Sequence, residues 1–413
     1  MTMDQPSSSA GVAEWHNWAG TQSCRPQEYL RARTVEEVRE VVTRAARSGT
    51  NVRVVGSKHS FTPVVCTDGI ILDISALSGV EHVDPVTHRA RIQAGSTIAS
   101  VGPQLWDAGC SLQNQGDIDS QTLAGALSTA THGSGLRFGS ISSALTFAQL
   151  VNADGELVTI EEDDPRLAAV QTSVGCLGVL TSVELQLMAA YQLAESTDHW
   201  PLAEVVERWE HETQSRRHFS FFWGPYNGSL ELYDLPSPPP GMEESCFIKR
   251  YDEIAGDASD VSPAGGRVDR AYKIYAAEFP TGWDELEYFV PYESALDALD
   301  AIRPVLAAFP QQRFPVEVRT IAAESALISP MHGRDSVSLS FSGAVGTDYV
   351  GFLRGIDAAL RELDGRPHWG KTHFFEAEAL REVYPRYEEF VAIRRSIDPT
   401  GLFLNDHVRG MLA

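Results

Sequence analysis

The densest glycine region of the chain runs from Gly116 to Gly139, and inside it lies Leu123-Ala-Gly-Ala-Leu-Ser-Thr-Ala-Thr-His-Gly-Ser-Gly135. Thr122 to Ala130 reads as a helix faced with Ala, Gly, Ser and Thr, broken by Thr131-His-Gly-Ser-Gly135. A helix with so little side-chain bulk lets another backbone, or a flat ligand, come close. Its hydroxyls can donate to phosphate. Tight helix–sheet packing uses the same residue types, so the segment demands a close neighbour without naming it.

The flanking sequence alternates helix and strand. Thr34-Val-Glu-Glu37 is a capping box opening a helix through about Ser48, with Val35, Val38, Val41, Val42 and Ala45 on one face and Gly49 at its end. Asn51–Val55, Gly69–Ile74 and Arg89–Ala94 read as strands, and Ser96–Ala108 as an amphipathic helix. Phe147–Asn152 and Glu156–Ile160 form a hairpin through Ala153-Asp-Gly155. Gly175-Cys-Leu-Gly-Val enters a further strand. An α/β unit follows from this alternation. Near residue 190 the texture becomes aromatic and proline-rich, and a second domain is placed at 190–365. Asp257–Gly266 reads as an exposed loop. The last stretch, 366–413, is expected to hold one helix over Ala377–Ile397.

Three further segments carry chemistry. In Val54-Val-Gly-Ser-Lys-His-Ser-Phe61 a strand runs into a glycine turn whose successive N–H groups can cup an anion. No G-x-x-x-x-G-K-[ST] and no G-x-G-x-x-G after a strand occurs, so a P-loop and a nicotinamide site are unsupported. In Phe314-Pro-Val-Glu-Val-Arg-Thr320, strand alternation puts Glu317 and Arg319 on one face and Val316 and Val318 on the other. In Arg366-Pro-His-Trp-Gly-Lys371 a histidine and a cation flank a Trp-Gly turn.

Taken in order, these segments resemble the vanillyl-alcohol-oxidase class of FAD enzymes, closest to its sugar-lactone branch of L-gulono-1,4-lactone and D-arabinono-1,4-lactone oxidases or dehydrogenases and alditol oxidases. The likeness also runs through Asn17-Trp-Ala-Gly-Thr-Gln22, Asn114-Gln-Gly-Asp117, Gly333-Arg-Asp335 and Asp398-Pro-Thr-Gly-Leu-Phe-Leu-Asn405. It implies an α+β fold: a bipartite FAD-binding domain of two α/β subdomains (PCMH-type) over 1–189, a substrate or cap domain with an antiparallel sheet flanked by helices over 190–365, and a segment, 366–413, returning to the flavin. It implies that Gly56, Ser57, Lys58, His59, Ser60, Phe61, Thr122, Gly125, Ser128, Thr131, His132, Gly133, Ser134, Gly178 and Val179 contact FAD. His59 matches the histidine that many members bond to the flavin 8α-methyl group. Glu317, Arg319 and Lys371 match the catalytic cluster over the reactive face of the ring.

The chemistry suits that cluster. A reduced flavin carries negative charge that Lys371 can stabilise away from water. Arg319 can hold a substrate oxygen. The base that takes the hydroxyl proton is Glu317 or a neutral Lys371. Ser342 stands where relatives often carry a histidine, which implies a roomier, less basic substrate pocket shared with His368. The expected reaction is oxidation of a hydroxyl carbon of an aldonolactone or alditol, with O2 or another electron acceptor. The alternative is a tailoring oxidase of sugar-bearing metabolites.

Composition limits the partners. The formal net charge of −23 opposes nucleic acid and anionic lipid alike. No apolar run approaches a membrane span, and Met1–Gly20 has neither the basic start nor the apolar core of a signal peptide. The five cysteines have no metal-ligand spacing, so no metal and a reducing, cytoplasmic setting are expected.

Overall fold

The computed structural model describes residues 13–254, 266–277 and 282–413. Helix Val35–Ser48 begins where the capping box requires: Thr34 Oγ1 accepts from Glu37 N at 3.1 Å, and Glu37 reaches back to Arg33 N at 2.7 Å. Gly49 ends it in the left-handed region at φ 66°, its N–H turned to the last carbonyls. The helix buries Val38, Val41, Val42 and Ala45. A three-stranded parallel sheet, in the order Glu28–Arg31, Ile70–Asp73, Val52–Val55, accompanies it.

An antiparallel five-stranded sheet follows, in the order Leu157–Ile160, Leu145–Val151, Val179–Gln186, Arg89–Gln93, Val80–Asp84. Its hairpin turns at Gly155 (φ 77°), where a Cβ would stand 2.1 Å from Thr43 Oγ1. Arg39 Nε donates to the Gly155 carbonyl at 2.9 Å, locking hairpin to helix. The small-residue helix is Leu123–Ser128, capped by Thr122, shorter at both ends than its sequence suggests.

The second half is built on an eight-stranded sheet: Val268–Arg270, Gln192–Pro201, Ser245–Ile254, His218–Trp223, Val316–Ile321, Ser336–Ala344, Trp283–Pro291, Arg366–Pro367. All its pairings are antiparallel. Helices Leu202–Ser215, Ala295–Ala308 and Tyr349–Arg361 accompany these strands. The two-residue period sorts the strands. Phe219 and Phe221 meet Trp209 of a helix at ring separations of 6.3 Å, and Val316 and Val318 join the same core. Phe222, Glu317 and Arg319 face the other way, into a cleft against the first half.

The C-terminal stretch corrects one expectation. Ala377–Ile397 is two helices, Ala377–Val383 and Tyr387–Ile397, because Pro385 has no N–H to continue the first. The chain then returns to the parallel sheet, where Val52 N donates to Leu402 O at 2.9 Å. The loop expected at Asp257–Gly266 lies outside the described residues, apart from Gly266. Among the described residues no helix is long and apolar enough to cross a membrane. All five cysteines are free.

Candidate active site

A cleft of about 220 Å³ separates the two halves. One wall is backbone and small side chains. The turn Gly56–Phe61 is held from behind: Trp18 N donates to Lys58 O at 2.9 Å, Asn17 Nδ2 to Ser60 O at 3.0 Å, and Phe61 N to Gly370 O at 2.7 Å. The amides of Ser57, Lys58, His59 and Ser60 donate to no acceptor among the described residues. Lys58 adopts φ 66°, a left-handed kink of the kind that gathers successive N–H groups into a concave site. A Cβ on Gly56 would stand 2.2 Å from Thr122 Oγ1, so the turn lies directly on the small-residue helix. Thr122, Gly125, Ser128 and Thr131 continue this wall, with Gly178 at its far end.

Gly133, Ser134 and Val179 do not line the cleft. Gly133 is packed behind it, where a Cβ would meet Gln115 O at 2.3 Å, and Ser134 O accepts from His218 Nδ1 at 2.6 Å. Val179 is spent in sheet pairing with Val151. Sequence reasoning missed the tie beneath this wall. Buried Arg53 donates to Val64 O at 2.6 Å, Val174 O at 2.9 Å and Gly175 O at 3.1 Å, and also to Phe403 O. Burial lowers its pKa to about 10. The signal for it was a charged residue in an otherwise apolar strand.

The opposite wall is charged. Register aligns Glu317 with Ser340 and Ser340 with Glu287, so these side chains share one sheet face. Arg319 Nη2 lies 2.9 Å from Glu287 Oε1 and 3.4 Å from Glu317 Oε2. His132, from the first half, completes the group: its Nε2 is 3.0 Å from Glu287 Oε1 and its Nδ1 2.8 Å from Gly133 O. Burial would raise the Glu287 carboxyl, but Arg319 and His132 outweigh it and hold it well below the usual range. Glu317 goes the other way. Burial lifts its carboxyl to about 7, with Asp117 and Glu287 adding to the rise against Arg319 and Lys249.

Lys371 Nζ lies 2.5 Å from Glu285 Oε2 and 5.0 Å from the Phe61 ring centre. Its partner is therefore a carboxylate from the strand Trp283–Pro291. Buried His368 accepts from Gly370 N at Nδ1 (3.0 Å) and stacks on Phe289, and burial lowers its pKa to about 3. His132, Glu287 and His368 bring possible metal-ligand atoms within 4.8 Å of one another. Arg319 and the hydrogen bonds above already occupy that group, and the guanidinium on Glu287 opposes a further cation.

Ser342 is corrected. It is buried and does not line the cleft, and its hydroxyl bonds the Tyr233 hydroxyl. Tyr233 fills the space expected to be roomy, in ring contact with Trp283, Phe314 and Phe222. Trp18 adds a ring 5.1 Å from His59. His59 Nε2 faces Ser120 Oγ at 2.9 Å, and burial together with the Lys371 charge lowers its pKa to about 4. Glu285, Glu287, Tyr233 and Trp283 were all missed from sequence. Trp283-Asp-Glu-Leu-Glu287 alternates, but nothing near it in the chain shows what the two carboxylates meet.

A backbone-lined wall with unspent amides, opposed by a charged sheet, suits an anionic dinucleotide with a flat redox ring. This arrangement defines an FAD-dependent oxidoreductase, and two family models agree: an FAD binding domain over residues 26–161 and D-arabinono-1,4-lactone oxidase over 236–411. The chain belongs to the aldonolactone oxidase family, a group of FAD enzymes acting on CH–OH carbons. It is 34% identical to an L-gulono-1,4-lactone dehydrogenase of Mycobacterium tuberculosis over 96% of this chain and 99% of that one. It is 31% identical to an alditol oxidase of a Streptomyces species (96% and 98%) and 28% to the L-gulonolactone oxidase of Bos taurus (96% and 97%). In fold it matches cholesterol oxidase from B. sterolicum with a TM-score of 0.82 at 16% identity, covering 97% of this chain and 96% of that one.

Proposed function

We propose that the protein oxidises a hydroxyl-bearing carbon of a sugar-derived substrate, an aldonolactone or an alditol, and returns the electrons to O2 or another acceptor. The observation that carries this reading is Glu317, a carboxyl lifted to about 7, beside a fully charged Arg319 at the cleft. When bound, FAD supplies the acceptor for the hydride leaving the substrate carbon. Glu317 takes the hydroxyl proton, since a base titrating near the working pH combines availability with proton affinity. Arg319 holds the substrate oxygen as negative charge gathers there, and Glu287 fixes its orientation. Lys371 adds positive charge to the cleft near Phe61. The names of the relatives support the substrate class, since they divide between lactones and alditols. Flavin bleaching by a panel of aldonolactones and alditols, with peroxide release compared against an artificial acceptor, tests both substrate and acceptor. Failure of every panel member would overturn the reading.

We also assign His59 as a covalent anchor for the flavin. Its low proton affinity leaves the ring neutral, with a nitrogen lone pair that would bond the 8α carbon once that methyl group had lost a proton; the flavin would be left two electrons reduced and would be reoxidised by the same O2 or other acceptor. Acid precipitation of the holoprotein is expected to carry the yellow colour with the polypeptide, and His59→Ala to release it. Flavin freed by acid from the unmutated protein would reduce His59 to a non-covalent contact.

A further inference from the structure

Asp117 and Lys249 form a largely buried ion pair near Glu317. Lys249 Nζ lies 3.3 Å from Asp117 Oδ2, with side chains 10% and 19% exposed. The two come from opposite halves of the molecule: Asp117 lines the cleft from the loop Gly116-Asp-Ile118, and Lys249 rises from the strand Ser245–Ile254. Register fixes where Lys249 points. It pairs with Ser220, and Ser220 pairs with Arg319, so Lys249 and Arg319 share one sheet face. Ser220 lies between the two cations in that row, and Phe222, the cross-strand neighbour of Glu317, stands two residues further along the same strand, its ring centre 5.9 Å from Lys249 Nζ.

The groups facing Glu317 can be counted by element. Its own strand contributes Arg319, the strand Trp283–Pro291 contributes Glu287, Ser245–Ile254 contributes Lys249, the first half contributes Asp117, and the short helix Leu230–Tyr233 contributes Tyr233, whose phenol burial keeps protonated and uncharged. The two strands directly beside it contribute Phe222 and Ser340, which are uncharged. Two cations and two carboxylates therefore surround one further carboxyl. Each cation already has another partner: Arg319 has Glu287, and Lys249 has Asp117. Glu317 is left near both cations without exclusive claim to either.

We propose that Asp117 and Lys249 are positioning residues for the base, a charge pair joining the two halves of the molecule that sets when Glu317 gives up its proton. The inference rests on the reading of Glu317 as that base. An unpaired Lys249 would hold Glu317 ionised and make it a weak proton acceptor. An unpaired Asp117 would keep it protonated and unavailable. Together they balance it, so the two members act on Glu317 with opposite sign.

That opposition is the test. The pH dependence of anaerobic flavin reduction is measured in the holoenzyme and in isosteric variants. The same midpoints are read in substrate-free protein from the infrared band of the protonated carboxyl. Asp117→Asn is expected to move the midpoint down and Lys249→Met to move it up, each by about half a pH unit or more. The double variant should fall between them. A purely structural defect would lower the plateau rates without displacing the midpoints in opposite directions. Unmoved midpoints, or both single variants moving the same way, would overturn the proposal. Persistence of the wild-type midpoint in Glu317→Gln would instead overturn the assignment of the base, so the two failures are distinguishable.

Discussion

Across the cleft two kinds of material face each other: Gly56, Ser57, Thr122 and Gly125 offer backbone amides and small side chains, while Glu285, Glu287, Glu317, Arg319 and Lys371 offer full charges. The first wall works by closeness. Its amides are useful because no side chain stands between them and a ligand. The second works by charge: Glu285, Glu287, Arg319 and Lys371 are each held by a partner from another strand or segment, and Glu317 by Arg319 on its own strand. A wall of the first kind tolerates little added volume, and one of the second kind tolerates little change of charge. His132 contacts both, with its ring on Glu287 and its backbone in the small-residue segment.

The contrast can be broken from the charged side first. Arg319→Ala removes the group proposed to hold the substrate oxygen and leaves Glu287 and Glu317 without its charge, and kcat/KM is expected to fall by about 10²-fold or more, as for loss of one transition-state donor. Flavin content should stay the same. On the other wall Gly56→Val pushes a side chain onto Thr122, where even a Cβ would stand at 2.2 Å. Its expected effect is loss of flavin, read as the ratio of flavin to protein absorbance, with substrate affinity of the remaining holoenzyme little changed. If either variant damaged both properties equally, the division of labour would be wrong.

Smaller effects sharpen the picture at its edges. Ser342→Ala removes one hydrogen-bond partner of the buried Tyr233 hydroxyl, worth about 1 kcal/mol. A few-fold rise in KM with kcat preserved is the expected result, since Tyr233 shapes the wall without meeting the reacting atoms. Away from the cleft, His373 has both ring nitrogens buried without a partner, and burial lowers its pKa to about 3 and that of nearby His407 to about 4. In the unfolded chain both rings take protons near 6.5, before the folded ones do. The stability their neutral forms contribute is thus present above about pH 6.5 and lost as pH falls towards 4 and 3. Tm should drop over that window, and His373→Phe should flatten the slope.

The same contrast explains what could be read from the chain. The backbone wall is written in contiguous residues, Gly56–Phe61 and Leu123–Gly135, so its glycines and hydroxyls are visible together. Glu317 and Arg319 were legible because alternation puts neighbours at i and i+2 on one face. Their partners were not. Glu287 reaches Arg319 through strand register, Lys249 lies two strands away, and Asp117 comes from the other half of the molecule. Ser342 shows the same limit from the other side. Its position in the chain suggested open space, and Tyr233, more than a hundred residues earlier, occupies it. Residues that act through the backbone announce themselves locally. Charges that act in pairs are decided by pairing across the sheet.

The central claim is that Glu317 removes the substrate proton in a flavin enzyme of aldonolactones or alditols. The direct test is anaerobic stopped-flow bleaching of the yellow protein by the best substrate of the panel, with Glu317→Gln run beside it. The account predicts a rate that rises with pH through about 7 in the wild type, and a loss of about 10³-fold in the variant at unchanged flavin content. A variant that bleaches as fast as the wild type, with the same pH dependence, would contradict it.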